Sequence, residues 1–341
     1  MPDKKLRVAI NGLGRTGRQV VRAWWDNHRD NFDLVAINGR SDAAMHAHLL
    51  KYDSDYGRFP AVIEAGKESL SIGGREVRVF AQDDPEQIDW NSAAVDVVIE
   101  ATGEFDYREG SMKHLRGSVK KVIITANAKD EDWMVILGVN HEEYDPARHH
   151  IISNGSCTTN CVVPMVKVLH DAFGVKRGLM TTIHSYTRDQ NLVDAKHGDL
   201  RRARAAGLNI IPTSTGAARS VGRIIPELEG KMNGLAYRVP TPTVSVVDLV
   251  TDLQNKVSKG SVNEAFLAAA EGPLKGYLYY EKEELVSTDF RSHPGSAIFD
   301  GPGTMVLDDD MVKTMGWYDN EYGYACRIAD LVTFIGERGL E

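Results

Sequence analysis

The sequence predicts an α/β protein of two domains, a doubly wound parallel sheet followed by a mixed or antiparallel α+β domain. Three observations lead there. Strand-like apolar runs alternate with helix-compatible segments as far as about residue 155. A glycine-rich turn follows the first strand directly and opens a helix. Beyond residue 155 strands follow one another with longer crossings. With 341 residues and 42% apolar content, the chain can build two cores.

Leu6–Ile10 reads as a short buried strand, and Asn11-Gly-Leu-Gly-Arg-Thr-Gly17 comes next. A helix-compatible stretch, Arg18–His28, completes the strand–turn–helix context that G-x-G-x-x-G requires. Gly12 permits the turn, Gly14 lets a pyrophosphate approach the backbone, and Gly17 lets helix and strand pack closely. Arg15 and Thr16 lie between them, at the helix start. The second strand, Phe32–Ile37, ends about 20 residues on, where an acid for the adenosine ribose is expected. Asn38-Gly39-Arg40-Ser41 stands there instead. A guanidinium and a hydroxyl in place of a carboxylate suit a 2′-phosphate, hence NADP rather than NAD. Asn38 or Asp42 serving the ribose would leave NAD as the cofactor, and dual use is also open.

Further strands are expected at Ser71–Phe80, Val95–Glu100, Lys121–Thr125, Val135–Val139 and Ile151–Ser153, with a helix around Arg108–Gly117. Thr102, Gly103 and Thr125 follow buried strands, at the carboxyl edge of the sheet where cofactors lie.

Asn154-Gly-Ser-Cys-Thr-Thr-Asn-Cys161 is a polar turn ahead of the helical run Val162–Phe173. Cys157 therefore belongs near a helix N-terminus, where unpaired N–H groups and the dipole favour thiolate. A cysteine that merely packs is the alternative. Gly178–His184 reads as a strand delivering His184 at its end, a suitable imidazole partner for that thiolate. Cys161, one turn after Cys157, lacks a second ligand pair nearby and reads as packing rather than metal binding. After the arginine run Arg201, Arg202 and Arg204 come Pro212–Gly216, a helix at Ala217–Ile225, strands Leu235–Val239 and Thr243–Leu253, and a helix at Val262–Ala270. Gly276–Tyr280, Ser296–Phe299 and Thr304–Leu307 are expected strands, and Gly323–Arg338 a closing helix.

A net charge of −8 argues against nucleic-acid or membrane-surface binding. Three cysteines make no disulfide framework, and the start shows no apolar signal segment. These point to a soluble cytoplasmic protein.

The chain resembles the phosphorylating glyceraldehyde-3-phosphate dehydrogenases over nearly its whole length. The matching stretches are Ala9–Arg18, Ser156-Cys-Thr-Thr-Asn-Cys161, Thr182-Ile-His-Ser-Tyr-Thr187, Asp199–Ala206, Ile211–Ala218, Arg238-Val-Pro-Thr241 and Trp317-Tyr-Asp-Asn-Glu321. The resemblance implies a Rossmann domain, residues 1–155 completed by 323–341, and a catalytic domain, 156–322, assembled as a homotetramer. It implies Cys157 as nucleophile and His184 as base. Thr187 and Arg238 would hold the C3 phosphate, and Ser156, Thr158, Thr215 and Gly216 the attacking inorganic phosphate. Arg202 would serve either anion, and Asn320 the nicotinamide amide.

The implied reaction oxidises D-glyceraldehyde 3-phosphate to 1,3-bisphosphoglycerate, in glycolysis or gluconeogenesis. Four positions depart from the family pattern: Gly39 for the acid, Asp83 for an arginine near the adenine, Asn127 for a proline, and Arg188 for an asparagine. Erythrose-4-phosphate dehydrogenase, which hydrolyses its thioester, is the nearest rival. A cofactor-sensing binding protein without turnover is a rival of another class.

Overall fold

The structure is a computed structural model that describes residues 5–341. Met1–Lys4, part of the start read above, lie outside the described residues. The chain divides into two compact units. One comprises Met1–Val135, Glu142–Asn154 and Ala325–Glu341; the other comprises Ile136–His141 and Gly155–Tyr324.

The first unit is built on a nine-stranded sheet. Across it the strands run Trp133–Met134, Ile151–Ser153, Lys121–Ile124, Val97–Glu100, Leu6–Asn11, Phe32–Asn38, Arg75–Phe80, Ser69–Ile72 and Ile63–Ala65. The first seven are parallel and the last two pairings antiparallel. Consecutive residues such as Val97, Val98 and Ile99 are all fully buried, as a parallel sheet covered on both faces requires. Strand order reverses about Leu6–Asn11, so the crevice at that strand's carboxyl end is the switch point where α/β sheets bind ligands.

Gly12 sits there at φ +99°, and a Cβ on it would lie 2.7 Å from the Ala101 carbonyl carbon and the Thr102 nitrogen. A Cβ on Gly17 would fall 2.1 Å from the Gly12 carbonyl oxygen. The helix Arg15–Ala23 begins from Gly14 without a side-chain cap, and a helix N-terminus at this edge of the sheet suits an anion. This is the expected Rossmann arrangement.

The second unit carries a mixed eight-stranded sheet. In order its strands are Ile211–Ser214, Met232–Val239, Val175–Ser185, Ser245–Leu253, Met311–Tyr318, Ala297–Asp300 and Leu278–Glu281, with Met305–Leu307 paired beside Met311–Tyr318. The 17-residue helix Cys157–Phe173 packs on this sheet, flanked by helices Ala217–Ile224 and Lys259–Glu271.

Four expectations need correction, the first being that Ser71–Phe80 is not one strand but parts of two antiparallel strands, Ser69–Ile72 and Arg75–Phe80, with Gly73 and Gly74 at the turn. Val135–Val139 is not a strand: the chain turns there, with Val139 N–H bonded to the Ile136 carbonyl and Ile136 N–H to Asn140 Oδ1 at 2.8 Å. The helix expected from Val162 begins five residues earlier, at Cys157, so Pro164 lies inside it rather than in its first turn. The strand Met311–Tyr318, central to the second sheet, was not expected at all.

Candidate active site

Ser156 caps the long helix, its hydroxyl oxygen accepting the Thr159 N–H at 3.1 Å. Cys157 is thereby the first helical residue, and the Cys157 and Thr158 N–H groups face its sulfur. Along the strand Val175–Ser185, Met180, Thr182 and His184 are buried on one face by the alternation of a β-strand. The parallel neighbour Met232–Val239 is in register so that Arg238 stands beside His184. These two strands and the capped helix bring Cys157 Sγ to 3.5 Å from His184 Nε2.

The tautomer of His184 turns on its other nitrogen. Nδ1 lies 2.7 Å from the Ser185 carbonyl and 2.6 Å from Arg238 Nη1. The carbonyl can only accept, which favours a proton on Nδ1 and a lone pair on Nε2 facing Sγ. The guanidinium can only donate and competes for a lone pair on Nδ1. Arg238 Nη1 donates to the same carbonyl at 3.1 Å. Burial, followed by the nearby Arg238 charge, holds the His184 imidazole down to about 3, so it is a neutral base.

Cys157 differs from expectation. The residue is only partly buried, yet desolvation of its sulfur pushes the thiol above its ordinary value. Arg238 and the Thr158 groups pull the other way without overcoming it. Burial of the sulfur thus works against the thiolate that the helix N-terminus and Arg238 favour.

Around this pair the polar groups are held in place. The Tyr318 hydroxyl bridges Thr158 Oγ1 at 2.9 Å and Thr182 Oγ1 at 2.8 Å, and its ring packs edge-on against His184. Asp189 meets the Thr187 hydroxyl and, at 2.5 Å, Arg202 Nη1. Burial opposes ionisation of Asp189, but Thr187, Arg238 and Arg202 hold its carboxyl below the ordinary range. Arg202 Nε also donates to Thr213 Oγ1 at 2.8 Å. Thr215 and Gly216 stand at the start of the helix Ala217–Ile224, which packs beside the Cys157 helix. Asn320 Oδ1 accepts from the Ser185 and Ser245 hydroxyls at 3.0 and 3.1 Å.

Sequence reasoning missed Tyr318 and Asp189. Tyr318 was visible only as part of the Trp317–Glu321 match, and nothing in the spacing separated Asp189 from other surface acids.

The remaining expected residues line the carboxyl ends of strands in the first unit. Gly12, Gly14, Arg15, Thr16 and Gly17 form the first turn, with Arg15 paired to Asp53 at 2.7 Å. Thr102 donates to Glu100, and Thr125 N–H to the Glu100 carbonyl at 3.0 Å. Gly39, Arg40 and Ser41 follow the second strand. The Arg40 guanidinium is held by Asp83 at 2.8 Å and Glu104 at 2.9 Å, all well exposed. Asn38, by contrast, is buried and committed: Nδ2 donates to Asn11 Oδ1 and the Gln82 carbonyl, and Oδ1 accepts the Gln82 N–H. Both of its amide hydrogens are thus used, and one Oδ1 lone pair is the capacity that remains. An uncapped helix N-terminus and the close backbone approach that Gly12 and Gly17 permit together fit a dinucleotide. Among the described residues no three His, Cys, Asp or Glu side chains gather to hold a metal ion, and no helix is long and apolar enough to cross a membrane.

Comparison with known proteins agrees with this arrangement. Residues 6–108 match the glyceraldehyde 3-phosphate dehydrogenase NAD binding domain, and residues 156–320 match the C-terminal domain of the same enzyme. The glyceraldehyde-3-phosphate dehydrogenase of Geobacillus stearothermophilus is 52% identical over 335 residues, covering 98% of this chain and 99% of the relative. Glyceraldehyde-3-phosphate dehydrogenase 1 of Bacillus cereus is 53% identical over 334 residues, and the Streptomyces coelicolor enzyme 49% identical over 334, with the same coverage. With both domains matched and half of all positions shared along the full length, the chain is an oxidoreductase belonging to the glyceraldehyde 3-phosphate dehydrogenase family.

Proposed function

We propose that this protein oxidises D-glyceraldehyde 3-phosphate to 1,3-bisphosphoglycerate with NADP+, NAD+ serving as a second cofactor, through a thioester on Cys157. The observation that carries the reading is Sγ at a helix N-terminus, 3.5 Å from His184 Nε2.

His184 Nε2 takes the thiol proton as Sγ bonds to the aldehyde carbon, and returns it to the carbonyl oxygen, giving a thiohemiacetal. The first-turn N–H groups of Cys157 and Thr158 support negative charge during that step. Bound oxidised nicotinamide supplies a hydride acceptor. His184 then removes the hydroxyl proton, leaving a thioester on Cys157. Orthophosphate attacks the thioester carbon, the C–S bond breaks, and the thiol is restored by the proton held on His184. Ser156, Thr158, Thr215 and Gly216 hold that phosphate. Thr187 and Arg238 hold the substrate's own C3 phosphate, and Arg202 adjoins both. Two anions in one site call for guanidinium forks, hydroxyls and helix N–H groups, and the site is made of these.

NADP+ is favoured by Gly39 and by the commitment of Asn38 elsewhere. The ion pairs of Arg40 with Asp83 and Glu104 are solvent-exposed and hold weakly, so a 2′-phosphate can take the guanidinium from them. Asn320 serves the nicotinamide amide. A cytoplasmic homotetramer belongs to the same reading and rests on the family resemblance alone; light scattering measures the assembly.

The test is formation of reduced cofactor from glyceraldehyde 3-phosphate with and without orthophosphate. Strict dependence on phosphate is expected. Turnover without phosphate would favour a hydrolytic, erythrose-4-phosphate dehydrogenase-like enzyme, and no turnover with either cofactor a binding protein.

A further inference from the structure

The switch-point crevice opens where the strand Leu6–Asn11 ends, with Phe32–Asn38 on one side of that strand and Val97–Glu100 on the other. Asn11 is in parallel register with Asn38 and with Glu100, so the two loops that follow flank the glycine turn. Those outer strands lie two sheet spacings apart, roughly 10 Å. One ion pair spans them: Arg40 Nη2, just beyond Asn38, reaches Glu104 Oε2, just beyond Glu100, at 2.9 Å. Both ends are mounted. The buried Glu100 carboxylate accepts the Thr102 N–H at 2.7 Å and the Thr102 hydroxyl, and that hydroxyl oxygen accepts the Glu104 N–H at 3.0 Å. On the other side the Gly39 N–H donates to the Phe80 carbonyl at 3.1 Å, and Asp83 Oδ1 accepts from Arg40 Nε at 2.8 Å.

We propose that Glu104 is a specificity-determining residue for the cofactor, holding Arg40 across the crevice until a 2′-phosphate takes the guanidinium from it. A phosphate binds a guanidinium as a fork of two parallel N–H groups. Either fork uses Nη2, and Nη2 is the nitrogen that Glu104 holds. Asp83 sits on Nε instead, and it can keep its place while a phosphate takes the edge of Nη1 and Nη2. NADP+ therefore exchanges one anion for another on Arg40. NAD+ brings no such anion and gains nothing from breaking the pair. The exchange is feasible because the Arg40 and Glu104 side chains are 66% and 50% exposed, where an ion pair is screened and weak. Glu104 thus lowers NADP+ affinity without abolishing it, which draws the affinities for the two cofactors together. The inference rests on the NADP+ reading above and names the side chain that limits it.

The experiment measures Kd for NADP+ and NAD+ by calorimetry, without substrate, on the full-length wild type, Glu104→Gln, Arg40→Leu and the double variant. Glu104→Gln is expected to tighten NADP+ binding about fivefold, near the ceiling for an exposed ion pair, and NAD+ binding by less than about twofold. In the Arg40→Leu background the same substitution should change NADP+ binding by less than about twofold, since the arginine is what it acts through. A NADP+ gain of full size without Arg40 would reduce Glu104 to a charge that repels phosphate, and would overturn the proposal. So would a NADP+ affinity that Glu104→Gln leaves unchanged, or an equal tightening of both cofactors. A wild type that prefers NAD+ would overturn the NADP+ reading alone, because the coupling between Glu104 and Arg40 in NADP+ binding reports on the pair whichever cofactor is preferred.

Discussion

At 3.5 Å, Sγ of Cys157 and Nε2 of His184 need little motion to exchange a proton, and burial opposes charge on each. The site thus sets desolvation of the pair against the helix N–H groups and Arg238, which favour thiolate. His184→Asn should lower kcat roughly 10²- to 10⁴-fold while cofactor Kd stays near wild type; a kcat within twofold or so of wild type would remove the base from the mechanism. The same imidazole sets a stability slope. It titrates at about 3 when folded and at 6.5 when unfolded. Between those values the unfolded chain binds a proton that the folded chain refuses, so stability is complete above about pH 6.5 and falls with acidification. Urea unfolding at about pH 4.5 and about pH 7 should show a smaller pH difference for His184→Asn than for wild type. Cys157 and His184 were legible because each sits at an element's edge within polar sequence. The desolvation of the pair and the place of Arg238 beside it were not, since the fold brings Arg238 to His184 from 54 positions away.

The element that orders the site is the helix Cys157–Phe173, whose first turn is fixed by the Ser156 cap. Ser156→Ala should cost about 1 kcal/mol in chemical denaturation and, on the proposed phosphate site, raise the apparent KM for phosphate, because the hydroxyl that caps the helix is also proposed to hold the anion. Unchanged stability would mean that the cap does not hold the turn. In the first unit, Gly17→Ala would place a methyl 2.1 Å from the Gly12 carbonyl, a backbone atom that cannot swing aside. Loss of dinucleotide affinity and a lower Tm are expected, both readable by calorimetry. Most elements announced themselves through alternation or capping. The strand Met311–Tyr318 did not, although its burial alternates cleanly. It begins beside a run of three aspartates and contains Gly316, which weakens strand propensity. The structure explains that glycine: a Cβ there would press within 2.3 Å of Met165 Sδ on the long helix. Val135–Val139 misled in the opposite direction, an apolar run that turns because Asn140 closes it.

For the molecule as a whole, an acidic charge and two cores set the class, while the chemistry is confined to a few strand ends and helix starts. Cofactor choice is the property least legible in the sequence, because Arg40 looks available until Asp83 and Glu104 are seen on it, and Asn38 looks available until its hydrogen bonds are traced. Comparing kcat/KM for NADP+ and NAD+ should favour NADP+; a strong preference for NAD+ would reverse the assignment made from Gly39 and Arg40. The covalent step is the claim on which the rest depends. Mass spectrometry of the enzyme mixed with glyceraldehyde 3-phosphate and oxidised cofactor, without phosphate, tests it most directly. An acyl adduct on Cys157 that orthophosphate discharges, and that Cys157→Ser never forms, is the result predicted; reduced cofactor produced with that cysteine unmodified would contradict it.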